Sequence, residues 1–340
     1  MALIFCESFD HYDNTTDWTL KWGRPGVDGS VAISGTGRFG TNCLGWGGNS
    51  DNDPYLRLAG KSTWIMGFAY RPNGPGPYAI LNFTNVAGSV SHVILYSDSL
   101  GHFYFKNGNG TAIGGVGTWV QKANVWSYLE IKLTISDSAG VAALRVNGTL
   151  DLNNTSADTQ NGATTTVDHF QWRSNGSGEW GMSMDDLYIC DDSGSVNNDF
   201  LGDIRVQRLL PSGAGNSTQW TASAGSNYQC VDDATPNADT DYVSETTAGE
   251  KDTYAFGNLT PTSGTVKGVQ TVIKARKDDA GTRSIAPVYR PVSTDYDGTT
   301  VAVSDSYSYL REITEVSPET SAAWTIAEIN GAEFGVKLVS

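Results

Sequence analysis

Residues 128–136, YLEIKLTIS, alternate between apolar and polar, a period of two that suits a strand with one buried face and excludes a helix. Leu129, Ile131, Leu133 and Ile135 are expected to face a core, with Glu130, Lys132 and Thr134 facing out. The turn DSAG (137–140) follows, then the strand-like VAALRV (141–146). Asn147-Gly148 comes next, a pair that suits a type I′ hairpin turn because both residues tolerate positive φ. Short runs of this kind, broken by Gly, Asn, Asp and Ser, recur along the chain. They lie at 64–71, 92–96, 102–106, 149–152, 169–173 and 182–190, and again at 202–210, 252–256, 266–274, 284–289 and 333–338. One segment, 322–330, reads as a helical turn, with Pro318 before it, Thr325 as its cap and Gly331 as its stop. No sustained heptads occur. The expected class is therefore all-β. The turn-rich stretch 191–198 divides it into domains at 1–195 and 200–340.

Composition narrows the function classes. Ten Trp, 15 Tyr and 11 Phe stand against four Met, which favours aromatic-packed sheets over helix bundles. A net charge of -15 argues against nucleic acid, whose phosphates attract basic patches. It also discourages adsorption to anionic membranes. No apolar run reaches the ~18–20 residues of a membrane helix. The strand-like start at residue 3 and the strand ending two residues before the C-terminus lead us to expect no leader and a reducing folding compartment. Sequon-like triplets at Asn14, Asn82, Asn147 and Asn258 then imply no glycan. Cys6, Cys43, Cys190 and Cys230 form no CxxC pair, so a zinc site is not expected. Free thiols are expected, although Cys6 and Cys190 fall in runs suited to neighbouring strands, where a thiol pair or a bond is equally compatible.

Catalytic patterns are sparse. A retaining glycosidase needs two carboxylates about 5–5.5 Å apart, which one strand supplies from alternate positions. The nearest acidic clusters, Asp185-Asp186 and Asp191-Asp192, are adjacent residues expected on opposite faces of a strand, and Glu179 is isolated. A serine or cysteine triad needs a His beside its nucleophile, and of the four histidines, His11, His92, His102 and His169, the last three fall in strand-like runs, where a structural role is expected. The glycine-rich 108–117 precedes no helix and reads as a loop or bulged edge. Asp51, Asn52 and Asp53, with Asp185 and Asp186, offer oxygens of the kind Ca²⁺ takes, but Asx-turn chemistry accounts for them. No catalytic, cofactor-binding or metal-binding residue is expected. Loops at 12–14, 46–51, 70–74 and 172–176 set an aromatic residue beside Asn, Asp or Arg. That pairing suits a sugar ring, though the same aromatics suit core packing.

Two groups of motifs carry a family resemblance. Glu7-Ser-Phe-Asp10, WSYLEIKL (126–133) with LRVNG (144–148), and MDDLYI (184–189) resemble the concanavalin A-like (laminin G-like) jelly-roll family. Residues 202–206, 209–213, 216–220, 241–244, 252–256 and 324–330 resemble a domain that follows such jelly rolls in tailed-bacteriophage virion proteins. The resemblance implies a concanavalin A-like jelly-roll sandwich followed by a second β-sandwich that serves virion assembly. It further implies a non-enzymatic structural protein of the particle, in a tail, fibre or collar, binding host surface carbohydrate. A capsid decoration (cement) protein is the alternative, and a depolymerase is disfavoured for want of a carboxylate pair. The implied location is the virion, assembled in the host cytoplasm. The implied partners are other virion proteins, copies of this chain in a trimer, and host glycans.

Overall fold

The computed structural model describes residues 2–12, 21–22, 31–47, 53–86, 89–173 and 180–340. The chain forms two compact units, Met1–Val206 and Gln207–Ser340. Both are built almost wholly from strands. The first is a jelly-roll sandwich and the second a further β-sandwich.

The first unit contains β1 (Leu3–Glu7), β2 (Val31–Ser34), β3 (Cys43–Gly47), β4 (Tyr55–Lys61), β5 (Thr63–Pro72), β6 (Tyr78–Asn85) and β7 (Val90–Ser97). It continues with β8 (His102–Asn107), β9 (Ala112–Val120), β10 (Ser127–Thr134), β11 (Gly140–Val146), β12 (Thr149–Ala157), β13 (Val167–Trp172) and β14 (Trp180–Cys190). One sheet has eight strands in the order β12-β11-β10-β5-β14-β3-β2, with β1 pairing β14. The other has six, in the order β4-β13-β6-β7-β8-β9. Aromatic side chains join the sheets. Trp64 on β5 meets Phe170 on β13 edge-on at 4.8 Å, and Phe68 meets Trp172 at 6.1 Å. Leu129, Ile131 and Leu133 are fully buried, as the alternation requires. The β11–β12 turn places Asn147 at φ 49° and Gly148 at φ 79°, the left-handed pair that the sequence predicts.

Glu130 departs from expectation. It is fully buried, although the alternation points it outward. The reason is residues 199–206, which lie over the outer face of β10, β5 and β14. Gly202 N–H donates to Glu130 Oε1 at 2.7 Å, and Val206 N–H donates to Asp186 Oδ1 at 2.7 Å. The predicted strand at 202–210 is therefore not a strand. Its backbone donors find carboxylates instead of a ladder, as buried donors must find some acceptor. Through Val206 this segment belongs to the first unit, which extends past the turn-rich 191–198.

Tyr188 on β14 and Glu130 on β10 both stand opposite Gly67 on β5. A Cβ at Gly67 would meet Tyr188 Cε1 at 2.3 Å and Tyr128 Cε1 at 2.9 Å. The bare glycine thus lets two tyrosine rings lie across the central strand. A register shift follows at Asp185–Tyr188, with Asp186 at φ 51°. This bulge corrects the expectation that Asp185 and Asp186 face opposite ways, since both reach Arg38. Asp185 Oδ2 accepts from its backbone N–H at 2.8 Å, and Asp186 Oδ2 accepts from its Nη1 at 3.4 Å.

β1 does neighbour β14, but Cys190 lies opposite Leu3 and Cys6 opposite Tyr188. All four cysteines remain thiols.

In the second unit, a six-stranded sheet runs Pro211–Thr218, Lys251–Phe256, Glu333–Leu338, Arg283–Arg290 and Tyr296–Asp297, with Val301–Val303 pairing Arg283–Arg290. The pair Val269–Ala275 and Ser308–Thr314 supplies Val269, Ile273, Ala275 and Leu310 against its core of Tyr289, Phe334, Ile285, Val336 and Leu338. The predicted helix forms at Ile326–Gly331. Thr325 caps it, and Glu328 completes a capping box.

Candidate functional site

The outer face of the six-stranded sheet in the first unit collects the polar residues that strand parity turns away from the core. On β13, Val167, Phe170 and Trp172 are buried, leaving His169 and Gln171 on the other face. On β4, Leu56 is buried while Tyr55 and Arg57 look out. On β8, Phe103 and Phe105 are buried and His102, Tyr104 and Lys106 alternate with them. Ladder pairing aligns these positions. Tyr55, Gln171, Asn82, Ile94, Lys106 and Ala112 form one row, each opposite the next. Arg57, His169 and Thr84 form a second row on one side of the first, and Tyr96 pairs Tyr104 on its other side. None of these positions is a carboxylate.

At one end, the rings of His169 and Tyr55 lie 4.7 Å apart, and the Arg57 guanidinium sits 5.2 Å from the Tyr55 ring. Burial lowers the pKa of His169 and the neighbouring Arg57 charge lowers it further, against a smaller upward pull from the Asp168 carboxylate. The imidazole is therefore neutral at neutral pH. His169 Nδ1 and Thr84 Oγ1, on paired residues, are both buried without a hydrogen-bond partner among the described residues. Such atoms are rare in folded proteins and call for a reason. At the other end, Tyr96 and Tyr104 stack at 5.4 Å with 13° between their planes. Lys106 Nζ lies 5.3 and 5.7 Å from those two rings. Among the described residues, neither Arg57 nor Lys106 has a carboxylate partner. Gln171 Nε2 lies 3.5 Å from Asp53 Oδ2, and Asn82 is buried, accepting from Ser91 Oγ. The face thus offers two cations without ion-pair partners among the described residues, a neutral imidazole, the remaining amide valences of Gln171 and Asn82, and flat aromatic rings.

Other residues singled out from the sequence have structural employment. His92 is buried, with Nδ1 accepting from Asn161 N–H at 3.1 Å and Nε2 3.1 Å from Thr164 Oγ1. His102 Nδ1 lies 3.2 Å from Asp98, and His11 lies 3.5 Å from buried Glu7. Asp191 accepts from Ser193 N–H and pairs with Lys61 at 3.2 Å. Of the aromatic-led loops, Tyr12, Trp46, Tyr70 and Trp172 are core residues, at most 1% exposed. Asp51, Asn52 and Glu179, with most of the 12–14, 46–51 and 172–176 loops, lie outside the described residues. Asp53 is buried, 3.7 Å from Arg173. No group of three or more His, Cys, Asp or Glu suited to a metal occurs among the described residues.

The sequence reading missed the outer face because no single run contains it. Its signal was the parity of three short strands, YLR (55–57), HFYFK (102–106) and HFQW (169–172), in which polar and aromatic functional groups alternate with core residues.

No family model matches the chain. An uncharacterized protein of Methanocaldococcus jannaschii is 27% identical over 228 residues, which are 63% of this chain and 21% of that protein. The chain thus spans about a fifth of that relative's length. Similar solved structures include the alginate lyase Aly36B, with 12% identity and a TM-score of 0.39 over 60% of this chain and 98% of that one. An endo-β-1,4-glucuronan lyase from Trichoderma reesei has 13% identity and a TM-score of 0.41 over 55% and 94%. Domain 4 of AbnA, an extracellular arabinanase from Geobacillus stearothermophilus, in complex with arabinotriose, has 15% identity and a TM-score of 0.40 over 56% and 92%.

These likenesses speak to the fold, and the activities named are those of the proteins compared. They nonetheless overturn the expectation of a non-enzymatic phage virion component, in tail or capsid. The three structures named are carbohydrate-active proteins, and none of the three is a phage structural protein. The expectation rested on a missing carboxylate pair, which bears on glycoside hydrolysis alone. A carboxylate pair is the signature of glycoside hydrolysis, whereas elimination from a uronate needs a cation for the carboxylate, a base and a proton donor.

Proposed function

We propose that this chain binds an acidic carbohydrate across the outer face of the six-stranded sheet of its first unit. The observation that carries the reading is the placement of Arg57 opposite His169 and of Lys106 in the neighbouring row, with no ion-pair partner for either cation among the described residues, in a chain of net charge -15. An unpaired arginine holds a carboxylate with two parallel hydrogen bonds. The stacked Tyr96 and Tyr104 offer flat faces for sugar rings, and Gln171 and Asn82 offer amides for hydroxyls. Alginate and β-1,4-glucuronan, the polymers named for two of the similar structures, are the first probes. Retarded migration of the chain in gels cast with either polymer, and none in gels cast with a neutral glucan, is the expected result. Equal migration in all three contradicts it.

A second reading, cleavage by β-elimination, is favoured by the neutral His169 beside Tyr55 and Arg57. Arg57 and Gln171 would hold the uronate carboxylate. His169 would take the C5 proton, the electron pair would form the C4=C5 bond, and the C4–O bond would break. Tyr55 would give its proton to the departing oxygen. A rise in ultraviolet absorbance from the new double bond tests this reading, and a flat trace with polymer bound removes it.

A further inference from the structure

We propose that the outer face of the eight-stranded sheet carries a second and separate binding site, for a small hydroxylated carboxylate such as a hexuronate, centred on Arg71. A cavity of about 440 Å³ opens there, lined by Thr36, Arg71, Asn73, Asn124, Met182 and Ser183 among others. Its size falls within the roughly 300–1,000 Å³ of small-molecule sites. Arg71 is fixed before any ligand arrives. Its guanidinium lies 4.7 Å from the Trp126 ring, and Nη2 donates to Thr36 Oγ1 at 2.9 Å and to Ser183 Oγ at 3.3 Å. Stacking of this kind holds the planar fork in one orientation.

What Arg71 lacks is an anion. Arg38, Arg173, Arg276, Arg283 and Arg290 each lie within 4 Å of a carboxylate. Arg57 on the six-stranded sheet shares this lack, but Arg71 alone of the two sits in a cavity. Among the described residues Arg71 has no carboxylate partner, and its Nε and Nη1 have no acceptor. No Asp or Glu lines the cavity among the described residues. The free donors of the fork match the two oxygens of a carboxylate. The neutral amides and hydroxyls around them match sugar hydroxyls. A hydroxylated monocarboxylate meets both demands, whereas a neutral sugar leaves the guanidinium unpaired and acetate leaves the amides unused.

The test is isothermal titration calorimetry of the full chain with D-glucuronate, D-glucose and acetate. It is run in the Arg57→Gln/Lys106→Gln background so that the six-stranded face does not contribute. The expected result is saturable binding of glucuronate at one site, at least tenfold tighter than glucose or acetate. Arg71→Gln lowers that affinity at least tenfold, and Asn124→Asp does the same by setting a like charge in the cavity. Asn124 is exposed and sits at φ 58°, which Asp tolerates, so this variant tests the site even if Arg71→Gln fails to fold. Absence of saturable binding, equal affinity for glucose, or glucuronate affinity unchanged in a folded Arg71→Gln or Asn124→Asp chain overturns the proposal.

Discussion

His169 and Tyr55 meet ring to ring at 4.7 Å across β13 and β4, with the Arg57 guanidinium 5.2 Å from the same tyrosine ring. Three groups of different chemistry thus share one corner of a sheet face that is otherwise built from amides and tyrosines. The arrangement follows from parity alone, because Leu56 and Phe170 between them fill the core.

Arg57 is exposed and makes no ion pair among the described residues, so its removal costs the fold little. Arg57→Gln is expected to weaken binding of an acidic polymer about tenfold, the worth of one charge-assisted hydrogen bond of roughly 1.5 kcal/mol. The unfolding temperature should stay where it is. Calorimetry and a thermal melt on the same sample separate the two effects.

The depressed pKa of His169 sets a pH dependence. As pH falls through the folded-state value, the ring gains charge and binding of an acidic polymer tightens, while any proton abstraction by the ring is lost. The stability contribution has its own sign. A depressed folded value means the folded chain binds the proton less readily than the unfolded chain. The contribution is present above the ordinary value of 6.5 and is lost as pH falls through the folded value. An NMR titration of the imidazole, with and without polymer, checks the direction.

Gly67 is the gap across which Tyr188 donates to Glu130 Oε1 at 2.6 Å. Gly67→Ala drives a methyl into both tyrosine rings and breaks that bond, leaving a buried carboxylate short of a donor. Overpacking of this kind costs about 1–3 kcal/mol. Loss of the donor to Glu130 adds to it. Tyr188→Phe isolates the second cost by keeping the ring. Chemical denaturation of both variants measures each cost.

Asp185 and Asp186 give the opposite pH slope to His169. Burial raises Asp185 to about 7, helped by the charge of Asp186, and burial raises Asp186 to about 6. Values above the unfolded 3.8 mean the folded chain holds these protons more tightly. The contribution is therefore full below 3.8 and is lost as pH rises through about 6 and 7. Between about pH 5 and 8 the loss is on the order of 4 kcal/mol, because each tenfold difference in proton affinity is worth about 1.4 kcal/mol. Asp185→Asn is expected to flatten the slope and to raise the midpoint of unfolding at the alkaline end. Denaturation midpoints across the range read both.

Much of the fold was legible because its cues are local. The β10–β11–β12 meander follows from alternation and from Asn147-Gly148, and the short helix follows from Thr325 with Glu328. Residues 202–210 misled because their alternation is that of a strand, while the acceptors that hold them, Glu130 and Asp186, lie far back in the chain. The bulge at Asp185–Tyr188 was hidden for a similar reason, since nothing in the residues announces a register shift. The candidate site was written in three strands whose order, β4-β13-β6-β7-β8, only the folded sheet reveals. Aromatic loops drew attention instead, and their rings went to the core.

The most direct measurement is calorimetric titration of the full chain with oligomers of glucuronan or alginate, comparing wild type with Arg57→Gln/Lys106→Gln. The account predicts binding by the wild type that weakens with added salt, and at least a tenfold loss in the double variant. Binding of equal strength in the two chains, or no binding by a folded wild type to either acidic oligomer, contradicts it.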